Sequence, residues 1–404
     1  MDNQLILDSF GTDNTDFEEQ KFEDTQIDNE SEEDIQNIGD ISFSDLVTSG
    51  TDWTVETIIN QMNKGNIQLN PAFQRRNAWN DTVKSRFIES IFLGLPIPQI
   101  ILAEQKDKKG KFIVIDGKQR LLSLKQFALP DNEEKPLKLS GIEVIPKYNH
   151  MTYKDIENGE FCGDIDAFNN QTIRTVVIKN WKRIEILYLI FIRLNTGSVK
   201  LSPQELRQAI YPGKFIDYIS NESSSNEELR RLLGTKGPDF RMRDVEILIR
   251  FYAFKFFAQE YKGSMQNFLD KTCDLLNNAF IEKENDIKNA MSLFSKAVNL
   301  AFEIFSNNNA FRKFKDGKYE SRYNRAVIDI MLYYFSQFDC KQLSTEQKDK
   351  ICSKFQELCS TDNTFLAALE STTKSLDAVH TRFRKWGVAL SEVTGISLSI
   401  PQGY

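Results

Sequence analysis

The residues best placed to do chemistry stand where a strand meets a helix. The stretch FIVIDGKQRLLSLKQF, residues 112–127, reads as a short apolar strand that passes through Asp116-Gly117 into an amphipathic helix. A helix that begins at such a turn presents free backbone N–H groups and the positive end of its dipole at one point, which favours an anion. The pattern predicts a phosphate site, and the alternative is an ordinary solvated turn. The side chains offered there are Asp116, Lys118, Gln119 and Arg120.

These residue types indicate how such a site would work. Arg120 would neutralise phosphate charge, and the N–H groups after Gly117 would hold phosphate oxygens. Asp116 would bind Mg²⁺ or orient a water molecule. A carboxylate at Asp116 would serve equally well as the N-cap of the helix, so both roles stay open at this point.

A second basic segment lies upstream, at PAFQRRNAW, residues 71–79. Arg75 and its neighbour Arg76 stand between Phe73 and Trp79, where an aromatic frame can fix a guanidinium for bidentate contact with phosphate or carboxylate. The alternative is an exposed basic loop whose aromatic side chains turn inward.

The composition argues against several classes of protein. His150 and His380 are the only histidines, which leaves little room for histidine metal sites or for a Ser-His or Cys-His nucleophile. The five cysteines are scattered without a CxxC pair, so we expect reduced thiols. No run approaches 18 apolar residues and the start of the chain does not resemble a signal peptide, so we expect a cytoplasmic protein that does not enter a membrane.

The charge is divided unevenly along the chain. Residues 1–40 contain fourteen acidic residues and one basic residue, Lys21, a net charge of −13. The other 364 residues therefore carry +6, because the whole chain carries −7. We expect residues 1–45 to form a disordered, solubilising tail. The alternative is an autoinhibitory segment that competes with nucleic acid for a basic body.

The periodicity of apolar residues predicts a mixed first half and a helical second half. The first half should contain strands at 67–70, 99–104, 111–116, 137–145 and 173–178, with helices at 54–64, 80–94, 153–158 and 181–194. Asp81 is the expected cap of the second of these helices, and a capping box at Ser202 and Glu205 starts the helical half. That half should contain helices at 205–210, 226–233, 242–259, 265–279, 282–305, 322–337, 345–358, 363–369 and 380–393.

Three motifs in order resemble the N-terminal domain of the GmrSD-type restriction proteins, also called domain of unknown function 262. The motifs are Pro71-x-Phe73-Gln74-Arg75-x-x-x-Trp79, Ile88-Glu89-Ser90-Ile91-x-x-Gly94-Leu95-Pro96-Ile97-Pro98 and Val114-Ile115-Asp116-Gly117-Lys118-Gln119-Arg120-Leu121. The resemblance implies a fold similar to ParB and sulfiredoxin. It also implies a role in bacterial defence against phage or modified DNA.

The resemblance further implies a nucleotide triphosphate site. The family's DGQQR-type motif, a phosphate site tied to triphosphate hydrolysis, falls on Asp116, Gly117, Gln119 and Arg120. We therefore expect Asp116, Gln119 and Arg120 to be catalytic and Gly117 to lie at the phosphate, with Asp116 as the Mg²⁺ ligand that its residue type already indicated. Lys118 stands where the family has glutamine and would still favour phosphate by its charge. Gln74 and Arg75 join the phosphate-binding set. Arg193 and Asn195, from an Arg-x-Asn-x-Gly stretch, would approach the site, unless Asn195 merely ends its helix.

A basic cluster in the second half predicts contact with DNA. It consists of Arg312, Lys313, Lys315, Arg322 and Arg325, interleaved with aromatic residues that could stack on bases. The alternative is a solvated charged face with the aromatic residues in the core.

Together these observations predict an α+β protein. After the tail, residues 46–200 would form the ParB/sulfiredoxin-like nucleotide-binding domain and residues 201–404 an all-helical domain. We expect a nucleotide-dependent component of an anti-phage or DNA-restriction system, acting as a Mg²⁺-dependent nucleoside triphosphatase with or on DNA; whether it also nicks DNA stays open. The alternative is a non-catalytic nucleotide- or DNA-sensing module that recruits a separate effector or nuclease. The family's histidine-containing nuclease half is not recognisable, and the oligomeric state is left open.

Overall fold

The computed structural model describes most of the chain. The described residues are 46–67, 69, 79–106, 108–130, 135–194, 202–235, 237–239, 242–338, 343–371 and 373–401. The expected acidic tail, residues 1–45, and three expected site residues, Gln74, Arg75 and Asn195, lie outside them.

One sheet organises the first part of the described chain. Its strands are β1 (Val47–Thr54), β2 (Ile100–Gln105), β3 (Lys108–Asp116) and β4 (Thr172–Lys179), in the order β1-β4-β2-β3. β2 and β3 form the predicted antiparallel hairpin, and β4 is the predicted interior strand, parallel to β2 and antiparallel to β1. Strand β1 was not predicted, because its sequence VTSGTDWT is mostly polar and does not alternate.

Seven described helices accompany this sheet. They are α1 (Val55–Asn63), α2 (Asp81–Phe92), α3 (Lys118–Ala128), α4 (Tyr153–Glu157), α5 (Cys162–Asn170), α6 (Ile184–Leu194) and α7 (Pro203–Ile210). The cap of α2 is Asn80 and not Asp81 as predicted, since the Asn80 side chain accepts from Val83 N at 2.9 Å. Asp81 is the first helical residue, where its charge still suits the dipole.

The strand predicted at 137–145 does not form. Leu137, Leu139 and Ile142 are buried as the apolar pattern implies. The backbone donors, however, are satisfied outside any ladder: Val144 N and Ile145 N both donate to Glu89 Oε1 at 2.8 Å. A buried loop needs a partner for each N–H group. Here side chains of α2 supply some of them, while Leu137 N and Leu139 N donate to the carbonyl oxygens of Gln126 and Met151.

The sheet is covered on both faces, as the continuous apolar sequence of β2 requires. Ile100 and Leu102 point into one core with residues of α1, α2, α3 and α5. Ile101 and Ala103 point into another with α6 and with Leu206 of α7. The end of β3 and the start of α3 are therefore held between two packed layers.

The rest of the described chain is built from helices around a large core of its own. The helices are α8 (Lys214–Ser225), α9 (Glu227–Leu233), α10 (Arg243–Phe257), α11 (Met265–Asn278), α12 (Phe280–Phe305), α13 (Arg325–Phe335), α14 (Thr345–Thr361), α15 (Asn363–Glu370) and α16 (Leu376–Thr394). Helix α8 was not predicted. The exception to the all-helical prediction is a small hairpin of β5 (Phe314–Lys315) and β6 (Lys318–Tyr319). The mixture of sheet and helices agrees with the predicted α+β class.

Candidate functional site

The turn between β3 and α3 depends on glycine. Gly117 is the N-cap of α3 with φ 95° and ψ 14°, and α3 begins at the next residue. A Cβ atom at this position would lie 3.1 Å from Ile100 Cγ1 and 3.2 Å from Arg120 Nη2. Both the positive φ and the close approach therefore disfavour a side chain here.

Asp116 and Arg120 form an ion pair across this turn. Arg120 Nη2 donates to Asp116 Oδ2 at 2.9 Å and to Gln99 O at 3.1 Å. Asp116 is 36% exposed, whereas Arg120 is only 15% exposed. The alternative role of Asp116 as the N-cap is wrong, because Gly117 occupies that position and no side chain of the described residues caps α3. Its carboxylate faces the guanidinium instead.

Two buried polar atoms at the turn lack a hydrogen-bond partner among the described residues. They are Gln119 Oε1 and Arg120 Nε. More than nine in ten buried polar groups are paired in native proteins, and leaving one unpaired costs about 1–3 kcal/mol. An arginine N–H group suits a phosphate oxygen, and an amide oxygen accepts from an N–H or O–H group. The turn thus holds polar groups that a ligand could satisfy.

Lys118 is turned away from this surface. Its side chain is 5% exposed, and Lys118 Nζ lies 2.5 Å from Oε1 of Glu205, which is 6% exposed. Direct contact with a phosphate, as the sequence predicted for Lys118, would require this pair to open. The predicted capping box at Ser202 and Glu205 is present. Nothing in the local sequence indicated that the same glutamate also binds a lysine 87 residues away.

The comparison with known protein families finds a match over part of the chain. The model of the GmrSD restriction endonuclease N-terminal domain matches residues 55–212. Residues 55–212 are a GmrSD-type N-terminal domain. The resemblance drawn from the three motifs is confirmed, and the matched range contains the turn and Glu205. No curated protein and no solved structure is similar enough to the chain to count as a match, so a likeness to ParB and sulfiredoxin stays a prediction.

Arg193 lies in the last turn of α6 of the GmrSD-type domain, and its side chain is exposed. The chain continues from there into residues 195–201, which lie outside the described part. The predicted approach of Arg193 and Asn195 to the turn therefore stays a prediction.

The basic cluster predicted to bind DNA follows the GmrSD-type domain, in and around the hairpin β5–β6. Lys313 Nζ lies 2.9 Å from Glu320 and 2.6 Å from Glu370, and Lys315 Nζ lies 2.7 Å from Glu370. Of the aromatic residues near this cluster, Phe311 is completely buried in the helical core, and Phe314, Tyr319 and Tyr323 pack against that core.

The arginines of this cluster are engaged as well. Arg325 pairs with Glu246 at 3.1 Å, and Arg312 donates to Glu320 O and lies over the ring of Tyr323. The fifth residue, Arg322, also has interactions within the protein. DNA contact here stays a prediction, and it would have to compete with these pairs.

Two further findings concern clustered metal ligands and membrane-spanning helices. The described residues contain no group of three or more His, Cys, Asp and Glu that could hold a metal ion. Within the same residues, none of the helices combines the length and apolar character needed to cross a membrane.

Proposed function

We propose that the GmrSD-type domain binds the phosphates of a nucleoside triphosphate at the Asp116 turn. The observation that carries this proposal is the pair of buried polar atoms, Gln119 Oε1 and Arg120 Nε, that have no partner among the described residues. They lie beside Gly117, where a Cβ atom would crowd Arg120. The name of the matched family supplies the biological setting. In that setting the chain is a nucleotide-dependent component of a bacterial anti-phage or DNA-restriction system that acts with or on DNA.

The start of α3 supports binding of an anion. The first hydrogen bond of the helix runs from Leu121 N to Gly117 O at 3.0 Å. The N–H groups of the three residues before Leu121 precede that bond and have no partner within the helix. The helix dipole and the Arg120 guanidinium both favour negative charge at this end.

Asp116 fits a Mg²⁺ ion that arrives with the nucleotide. Mg²⁺ at nucleotide sites usually takes one or two carboxylates and completes its shell with phosphates and water, so a cluster of three acidic residues is not required. Asp116 Oδ2 is committed to Arg120, and Oδ1 accepts no hydrogen bond from a described residue. Asp116 would hold the ion, which would neutralise charge on the phosphates. Arg120 would stabilise the charge that develops during triphosphate hydrolysis.

A specific observation favours a second candidate, a sensor without turnover. The ion pair with Arg120 already neutralises Asp116, which weakens the attraction of this carboxylate for a metal ion. A domain of this kind would bind nucleotide, change its interactions and recruit a separate effector protein. The two candidates share the site and differ in whether Asp116 takes part in chemistry.

The test is phosphate release from each of the four nucleoside triphosphates with Mg²⁺, with and without duplex DNA. The variants are Arg120→Ala, Asp116→Asn and, as a control, Arg86→Ala, since Arg86 pairs with Glu143 on the surface. For an enzyme we expect turnover to fall about 100-fold or more in the first two variants and to be unchanged in the control.

The other outcomes are equally informative. Saturable nucleotide binding without turnover, lost in Arg120→Ala, would favour the sensor. Turnover that survives Arg120→Ala undiminished would place the chemistry elsewhere. Absence of both binding and turnover under all conditions would overturn the proposed site.

A further inference from the structure

Helix α7 lies between the sheet and the helical region, which consists of helices α8 to α16. Several polar side chains of α7 are buried. Leu206 packs into the core under the sheet, and Ala209 packs against both that core and the large helical core. Four polar residues of this helix are between 0% and 6% exposed. They are Gln204, Glu205, Arg207 and Gln208. Buried charged residues are rare unless they are paired, so the partners of this helix matter.

On one side α7 contacts the Asp116 turn between β3 and α3, the proposed nucleotide site, which is called the nucleotide turn below. Glu205 Oε1 lies 2.5 Å from Lys118 Nζ, and Glu205 Oε2 accepts from Ser202 N at 2.7 Å. Lys118 is the first residue of α3, directly after Gly117. The position of Glu205 therefore fixes the first turn of α3, which carries Gln119 and Arg120.

On the other side α7 is held by the helical region. Arg207 Nε donates to Asp270 Oδ1 of α11 at 2.6 Å, and Arg207 Nη1 donates to Gln204 Oε1 at 2.7 Å. Gln208 Nε2 donates to Ser220 Oγ of α8 at 2.8 Å. The Tyr188 hydroxyl, from α6, also donates to Asp270 Oδ1 at 3.2 Å. Asp270 thus joins α7 to the helical region.

Stability alone does not account for this arrangement. Replacing a buried ion pair by apolar residues of similar volume is often neutral or stabilising, whereas its geometry is strict. Two such pairs on one eight-residue helix, one facing each region, constrain how the regions sit relative to each other. Any shift of α11 that moved Asp270 would pull Arg207, and the same helix carries Glu205.

We propose that α7 couples the helical region to the nucleotide turn, with Glu205, Arg207 and Asp270 as positioning residues. A partner that binds the helical region and shifts α11 would change the placement of Lys118, and with it the start of α3. The reverse also holds, since a nucleotide that rearranges the turn would act on Asp270. The coupling is a property of the fold, and its effect on ligand binding rests on the proposed nucleotide site.

The first test does not require a ligand. Hydrogen exchange at the amides of residues 117–121 is compared among the unsubstituted protein, the Asp270→Asn variant and the Asp329→Asn variant. Asp329 is a matched control, because it is also a buried carboxylate of the helical region and holds two arginines, Arg250 at 2.6 Å and Arg382 at 3.2 Å.

We expect exchange at residues 117–121 to be at least about tenfold faster in Asp270→Asn than in Asp329→Asn, because only the former loosens α7. Equal acceleration in the two variants would show general destabilisation and would overturn the proposal. If Asp270→Asn does not fold, Arg207→Lys against Arg250→Lys gives the same comparison with milder changes.

The second test measures binding of the Mg²⁺ complexes of the four nucleoside triphosphates by calorimetry. Lys118→Met removes the ion pair between the turn and Glu205. We therefore expect Asp270→Asn to weaken binding about tenfold in the otherwise unsubstituted protein and to have little further effect when Lys118→Met is also present. Additive effects of the two substitutions would overturn the coupling. Should the full chain bind none of the four nucleotides, the proposed function fails while the exchange comparison still decides whether α7 couples the regions.

Discussion

The chain contains the sequence Asp-Gly-Lys twice, at residues 116–118 and 316–318, and the two turns differ in chemistry. The first joins a strand to a helix whose first N–H groups have no partner within the helix. It also holds two buried polar side-chain atoms without partners among the described residues. The second joins β5 to β6, with φ of 52° at Asp316 and 77° at Gly317, as a two-residue hairpin requires.

Their basic residues are alike in their pairing. Lys313 and Lys315, beside the second turn, pair with acidic side chains, as Arg120 pairs with Asp116 at the first. Arg120 Nε at the first turn and Arg312 Nε at the second are both buried without a partner among the described residues. The element that follows a turn, a helix at the first and a strand at the second, thus decides whether N–H groups of a helix start are offered to an anion. A count of nearby basic residues does not.

The largest expected effect is a difference in nucleotide binding between substitutions of Gly117 and of Gly317. Gly117→Ala should weaken nucleotide binding at least about tenfold, because the new Cβ meets Ile100 and Arg120 and the backbone strain costs about 1–3 kcal/mol. Gly317→Ala suffers the same kind of strain, but its Cβ would meet no atom of the described residues within 4 Å. Calorimetric binding and denaturant unfolding of both variants check the difference.

We expect both glycine variants to be less stable than the unsubstituted protein and only Gly117→Ala to lose nucleotide binding. Equal binding losses in the two would mean that global destabilisation, and not the turn, explains the effect.

A smaller effect concerns DNA at the hairpin. Glu370 pairs with both Lys313 and Lys315, so Glu370→Gln should free positive charge there. We expect tighter binding of duplex DNA at low salt, with a salt dependence of log K steeper by about 0.9 for each lysine that gains a phosphate contact. Fluorescence anisotropy over a salt series measures both quantities, with Lys288, paired with Glu284, tested through Glu284→Gln as a surface control. Unchanged affinity in Glu370→Gln would remove the hairpin from the DNA-binding candidates.

The smallest expected effect is a pH dependence of the hairpin. Burial raises the pKa of Glu370, but hydrogen bonds from Lys313 and Lys315 outweigh it and hold the pKa below its ordinary value of 4.5. Since the folded pKa is lowered, this stabilisation is present above about pH 4.5 and is lost as the pH falls through the folded pKa. The free energy of unfolding of the unsubstituted protein should exceed that of the Glu370→Gln variant by about 1 kcal/mol or less at pH 7. This difference should shrink as the pH falls. A difference that is constant from pH 7 to pH 3 would contradict this pairing.

The sequence predicted the first turn more completely than its surroundings. The hairpin β2–β3, the break at Gly117 and the helix after it follow from local periodicity, and the three motifs led to the correct family. Contacts between distant segments left no local pattern. Lys118 and Glu205 each look like an ordinary residue of a helix start, and only the fold brings them together.

Local patterns also misled where a side chain replaced a backbone partner. The alternating apolar residues at 137–145 predict a strand, yet Glu89 satisfies two of the donors, so burial occurs without a ladder. At the hairpin β5–β6 the sequence showed basic and aromatic residues but not the acidic partner, since Glu370 lies 55 residues beyond Lys315.

The order of strands in the sheet also has a consequence for biosynthesis. Strand β1 pairs with β4, and Asp52 of β1 meets Arg174 of β4 across 122 residues of chain. At a synthesis rate of about 5–20 residues per second, β1 waits roughly 6–24 s for its partner. The polar sequence of β1, whose lack of alternation kept this strand from being predicted, is then an advantage. An unpaired strand of this kind is a poor template for association with neighbouring nascent chains.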